Sequence, residues 1–194
     1  MVCLERNRGF TLVELMIVVA IVAVLAVLAV VGVRRYLSNA KSSEARFALG
    51  LIGKGAAQAL EREATSTVVI APTESAIVSR RLCLSATERV PSAMASVSGR
   101  RFQPDNTNGV GFHKDDFAVH TGFACVRFEM VSPQAYQYDY VSDSTDTTQG
   151  TSIAAIAIGN INGDAVYSTF RLVGAVQAQA LTLAPSLEET NPDE

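Results

Sequence analysis

Residues 15 to 33 form an unbroken apolar run of 19 residues with no charge and no strong polar group. As an α-helix such a run is about 28 Å long, close to the ~30 Å hydrocarbon core of a bilayer. It exceeds the 7–15 apolar residues, roughly, of a secretory signal peptide. No small-x-small cleavage pattern follows it, because RRYLSNA comes next. The run is therefore read as a membrane-spanning helix that stays in the chain. One residue sits badly with that reading. Glu14 stands at the start of the run, and an acid costs about 2.5–3.5 kcal/mol at the centre of a membrane helix.

The remainder of the 194 residues is enough for one soluble domain. Charge does not orient the span: Arg6 and Arg8 precede it, while Arg34, Arg35 and Lys41 follow it. No basic patch with interleaved aromatics appears, so direct nucleic-acid binding has no support. There are three cysteines, Cys3, Cys83 and Cys125. If Cys3 belongs to a removed leader, Cys83 and Cys125 remain as an even pair. An even pair suits a disulfide in an oxidising compartment; two unrelated buried thiols is the other reading.

Helical patterning continues past the span. Tyr36/Leu37, Ala40, Phe47/Ala48, Leu51/Ile52, Ala56 and Ala59/Leu60 recur near a 3.6 period, giving one face that can pack on a domain. No proline intervenes before Pro72, so a single helix from about Phe10 to about Ala64 is predicted. Gly50, Gly53 and Gly55 weaken it by about 1 kcal/mol each relative to Ala. Residues 65 to 115 read as irregular, with strand and short-helix assignments left open. From Thr121 the pattern turns to β. GFACVRFEMV and QAYQYDYV flank Ser132-Pro133, and SIAAIAIG and AVYSTFRLVG flank NINGD, whose Asn162-Gly163 signals a hairpin. Tyr136, Tyr138 and Tyr140 share one face of their strand. The tail SLEETNPDE is acidic and reads as flexible.

A short basic leader ending in Gly9, then Phe10-Thr11-Leu12-Val13-Glu14-Leu15 and the apolar helix, resembles the class III signal of type IV pilins and pseudopilins. The likeness covers about residues 6 to 30. A weaker one covers GFACVRFE, PQAYQYDYVS and GNINGDAVYSTFRL, which resemble sheet strands of pilin-like proteins. The resemblance implies that a prepilin peptidase cuts between Gly9 and Phe10 and that the new Phe10 amine is N-methylated. It implies that Glu14 pairs with the Phe10 amine of a neighbouring subunit, or its own, during assembly. It places the N-terminus in the cytoplasm and the soluble domain outside. Major pilins carry a glycine and a proline where Ala23 and Val31 stand here, and Gly32 is the only helix breaker nearby. That departure shifts the resemblance towards a minor pilin or pseudopilin.

Competing chemistry is thin. Ser38-Asn39-Ala40-Lys41 has the Ser-x-x-Lys spacing of a nucleophile and its base, but no partner motif follows. His113 and His120 lack further ligand spacing for a metal. NINGD near Asp139 and Asp143 lacks a full acidic calcium loop. The three tyrosines read as sheet packing before a ligand platform.

The sequence thus predicts an α+β, type IV pilin-like fold: a long N-terminal helix on a C-terminal antiparallel sheet of about four strands. Its parts are a leader at 1–9, an assembly helix at 10–35, an amphipathic half at 36–64, a globular domain at 65–185 and a flexible tail at 186–194. The function is a filament subunit for motility, adhesion or DNA uptake, with no catalytic residue, cofactor or metal. Site residues are Gly9 and Phe10 for cleavage, Phe10 for methylation, Glu14 for assembly, and Cys83 with Cys125 for a disulfide. Partners are prepilin peptidase, other pilin subunits and an inner-membrane assembly platform. The chain starts in the inner membrane and ends in a surface pilus or a periplasmic pseudopilus. The alternatives are a type II secretion pseudopilin and a membrane-anchored periplasmic binding domain or enzyme.

Overall fold

A helix with no internal proline and many Ala and Leu residues has little reason to stop, and helix α1 runs unbroken over Leu12–Glu61. The computed structural model describes residues 9–64, 79–104, 112, 121–144, 147 and 149–192. The chain divides into two compact units, Met1–Leu37 and Ser38–Glu194. Both contain a part of α1.

In the first unit the helix is apolar on every side, and its large side chains, from Leu12 to Val33, are all exposed. It is long and apolar enough to cross a membrane.

In the second unit α1 packs on an open antiparallel sheet. The strands are β1 (Glu63–Ala64), β2 (Ser79–Arg80), β3 (Tyr136–Ser142), β4 (Ser152–Gly159), β5 (Ser168–Gln177), β6 (Ala180–Leu183) and β7 (Glu188–Thr190). Strands β3, β4, β5 and β6 lie side by side in that order, and β7 pairs with β5 beyond the end of β6. Strands β1 and β2 form a separate small ribbon. The register Tyr138↔Ala157↔Phe170 puts these residues on one face with Tyr136, Tyr140, Ala155 and Leu172. This is the face that α1 covers. Burying a Leu, Ile or Phe side chain contributes about 1.5–3 kcal/mol, and the core includes Leu49, Ile52, Leu60, Phe123 and Phe170.

The buried stripe of α1 keeps Ala48, Ile52, Ala56, Ala59 and Leu60 of the predicted one and departs from it elsewhere. Ser42, Ala45, Ala48, Leu49, Ile52, Gly53, Gly55, Ala56, Ala59 and Leu60 are buried. Tyr36, Leu37, Phe47 and Leu51 are exposed, Phe47 by 69%. Small side chains won because the helix lies close to its neighbours. A Cβ at Gly55 would overlap the Val126 carbonyl oxygen, and one at Gly53 would fall 2.7 Å from Leu172 Cδ2. Two of the three glycines read as weak points are thus contact points, while Gly50 faces open space.

Two further expectations need correction. GFACVRFEMV is not a strand: Gly122–Cys125 is a short helix, α2, followed by a turn in which Arg127 has φ 54°. Phe123 and Val126, three apart, both point inward there, and rings of Phe112, Phe123 and Phe128 meet at 5.1–5.8 Å. A helical turn serves that cluster and a strand would not. The tail is not free over its described part. Strand β7 pairs Glu188, Glu189 and Thr190 with Arg171, Phe170 and Thr169. Strand β6 was also missed. The NINGD segment does join β4 to β5, through an eight-residue loop in which Gly163 has φ 80°.

Candidate functional site

The predicted cleavage pair lies just ahead of α1. Gly9, Phe10 and Thr11 are non-helical and exposed, with Phe10 exposed by 81%.

The residues that start the helix also explain the acid. The Thr11 N–H donates to Glu14 Oε2 at 3.0 Å, and the Thr11 hydroxyl donates to the same oxygen at 2.9 Å. The Glu14 N–H donates back to Thr11 Oγ1 at 3.3 Å. This is a capping box, a Thr-x-x-Glu pattern in which two residues satisfy each other's free N–H groups. An acid here also faces the positive end of the helix dipole. Glu14 is therefore locally tolerable at the head of an apolar helix: its carboxylate already has two donors. The Thr11-Leu12-Val13-Glu14 spacing is itself the sequence signal of that box.

The second unit carries the remaining predicted pair. Cys83 and Cys125 are joined in a disulfide with Cα atoms 5.8 Å apart, 42 residues apart in sequence. Both sit in the core. The bridge holds α2 against the segment that follows β2. Arg62, just past α1, donates from Nη2 to the Cys125 carbonyl at 2.7 Å. Partial burial, with Arg127 adding like charge, pushes the Arg62 guanidinium below its ordinary range.

Sequence reasoning missed a charged clasp near the chain's end. Arg46 of α1 grips Glu189 of β7 with two hydrogen bonds of 2.7 and 2.9 Å, and lies 5.3 Å from the Phe170 ring centroid. The Ser42 hydroxyl donates to the Pro192 carbonyl at 2.7 Å. The hydrogen bond from Arg46 holds the Glu189 carboxyl below its usual value. Basic and acidic residues more than a hundred positions apart give no local signal of pairing.

The other candidates resolve as follows. Tyr136, Tyr138 and Tyr140 are fully buried on the α1 face, and burial pushes their hydroxyl pKa values up. They pack the core. His113 and His120 lie outside the described residues. In NINGD, Asn160 Oδ1 accepts from the Gly163 N–H at 2.8 Å and Asp164 Oδ1 from the Val166 N–H at 2.6 Å, so the turn uses its own polar groups. Among the described residues no three His, Cys, Asp or Glu side chains cluster as metal ligands.

Residues 5–30 match the family model described as the prokaryotic N-terminal methylation motif. That is the class III signal of type IV pilins, and it supports a type IV pilin or pseudopilin precursor. No curated protein and no solved structure matches the chain.

Proposed function

We propose that this chain is the precursor of a structural subunit of a type IV pilus-like filament. The observation that carries the reading is the methylation motif laid over an exposed apolar helix with Glu14 at its head. In this reading prepilin peptidase removes residues 1–9 and Phe10 becomes a methylated N-terminus. Residues 10–35 anchor the subunit in the inner membrane, cytoplasmic end first, until an assembly platform passes it into the filament. Residues 36–64 continue the helix, 65–185 form the displayed domain, and 186–194 close it.

Glu14 then has two successive partners. In the precursor it is held by Thr11. After cleavage a positive amine forms at Phe10, and an unpaired charge in a low-dielectric helix bundle is costly. The carboxylate exchanges a neutral hydroxyl for a charged donor on its own or a neighbouring subunit. The exposed stripe of Tyr36, Phe47 and Leu51 supports packing of α1 beyond residue 35.

A type II secretion pseudopilin is the second reading, favoured by Ala23 and Val31 in place of the expected breakers. Loss of long surface filaments on deletion supports a pilin; loss of protein secretion alone supports a pseudopilin. Intact-mass measurement of the mature protein tests both. Loss of residues 1–9, one methyl group on Phe10 and one disulfide is the expected result, and a mature chain beginning at Met1 would overturn the proposal. Glu14→Val is expected to leave the protein in the membrane and out of filaments.

A further inference from the structure

Near the end of the first unit stand two cations without partners. Arg34, Arg35 and Tyr36 follow Val33 directly, in a helical and exposed stretch of α1, with Tyr36 exposed by 73%. Neither arginine makes an ion pair or a hydrogen bond among the described residues. The neighbouring sequence offers no acid either: no Asp or Glu stands between Glu14 and Glu44. Two guanidiniums that keep their charge at any ordinary pH are thus left uncompensated, immediately after a 19-residue apolar run.

Helix geometry fixes where they stand. Successive residues lie about 100° apart round the axis, so the three cover more than half of the circumference. No rotation of the helix turns all of them away from lipid. Side chains in an α-helix lean towards its N-terminus, here back towards the apolar run. Twenty residues separate Glu14 from Arg34, about 30 Å of helix, which matches the ~30 Å hydrocarbon core. With the guanidiniums at one headgroup layer, the Glu14 carboxylate lies at the other and not in the hydrocarbon.

We infer that Arg34 and Arg35 bind the phosphate of an anionic phospholipid, of the phosphatidylglycerol kind, in the leaflet at the C-terminal end of the span. Tyr36 sits beside it at the interface. The planar fork of arginine matches two phosphate oxygens, and tyrosine suits headgroup depth because it joins an apolar ring to a polar hydroxyl. A choline or ethanolamine headgroup sets its own cation against the phosphate. A glycerol headgroup does not, and leaves the whole negative charge to the arginines. The bound lipid holds α1 at a set depth until the subunit leaves the bilayer. This inference rests on the reading of α1 as a membrane anchor.

The chain has no tryptophan, so Tyr36→Trp supplies a single reporter at the site. The full chain is reconstituted in phosphatidylcholine vesicles that contain a minor fraction of brominated lipid, either phosphatidylglycerol or phosphatidylcholine, with the bromine high on the acyl chains. Quenching of the indole is then compared. Brominated phosphatidylglycerol should quench more strongly, with a preference of about fivefold for each arginine, lowered in molar salt. Arg34→Gln with Arg35→Gln should bring the two lipids level, and Arg34→Lys with Arg35→Lys should keep part of the preference. The thermal melt of the domain should not move in either. Equal quenching by the two lipids in a chain that resists alkaline extraction, or a preference that survives the double glutamine substitution, would overturn the inference and leave the anchor reading standing. A chain that alkali strips from the vesicles would overturn the anchor reading and this inference with it.

Discussion

The two parts of α1 use the same helix for opposite ends. Before residue 38 the large side chains are mostly aliphatic, and they are exposed. After residue 38 the inward positions are mostly Ala, Gly and Ser, and they are buried. Large residues without partners suit a medium that is itself apolar, because lipid demands bulk hydrophobicity and no particular shape. Small residues with close neighbours suit a fixed contact, where each missing Cβ lets backbone approach backbone. Charge already separates the two parts, with Lys41, Glu44, Arg46, Lys54 and Glu61 all after residue 38; side-chain size and closeness of approach show what each part does.

The comparison can be broken most severely at the disulfide. Replacing Cys83 and Cys125 with Ser should cost about 2–5 kcal/mol of domain stability, read as a lower denaturation midpoint, while membrane insertion is unchanged. Leu25→Arg attacks the other part. It should cost about 2.5–3.5 kcal/mol of insertion free energy, measured as failed integration, and leave the domain's melt where it was. Gly55→Val sharpens the contrast within the helix. Overpacking against the Val126 carbonyl should destabilise the domain by about 1–3 kcal/mol, whereas Gly50→Ala, in open space, should slightly stabilise it.

Smaller effects follow from titration and from the outward stripe. Glu189 has a lowered folded pKa, so its contribution is present above the ordinary glutamate value near ~4.3 and is lost as pH falls through the folded value. Loss of amide-exchange protection over β7 in acid, a pH dependence that Arg46→Met removes by leaving the strand less protected at every pH, would show it. Phe47→Ser should change stability by no more than about 0.5 kcal/mol yet reduce filament incorporation. Unchanged incorporation would confine assembly to the part before residue 38.

Much of this was legible because the deciding signals are local. The span depends on 19 contiguous residues, the cleavage motif on seven, and the Asn162-Gly163 turn on two. What was not legible required knowledge of neighbours. Phe47 looks like a core residue by spacing, and only the position of the sheet shows that Ala45, Ala48 and Leu49 hold that side. GFACVRFEMV has strand composition, but a disulfide and three clustered rings hold its first half in a helical turn. Strand β7 reads as a disordered tail because its charges find partners in Arg46 and Arg171, residues distant in sequence. The methylation motif is plain in the chain, while the two hydrogen bonds that Thr11 gives Glu14 belong to the geometry of the helix start.

The pairing of β7 with β5 also sets an order of events. Helix α1 leaves the ribosome early, and the strand that finishes the sheet edge is made among the last residues described. Until residues 188–190 are in place, Thr169, Phe170 and Arg171 lack their neighbour and Arg46 lacks Glu189. A chain stopped at residue 187 would expose that edge to proteases. The last strand is then a marker of a finished domain: a chain with its clasp closed has been made through residue 190.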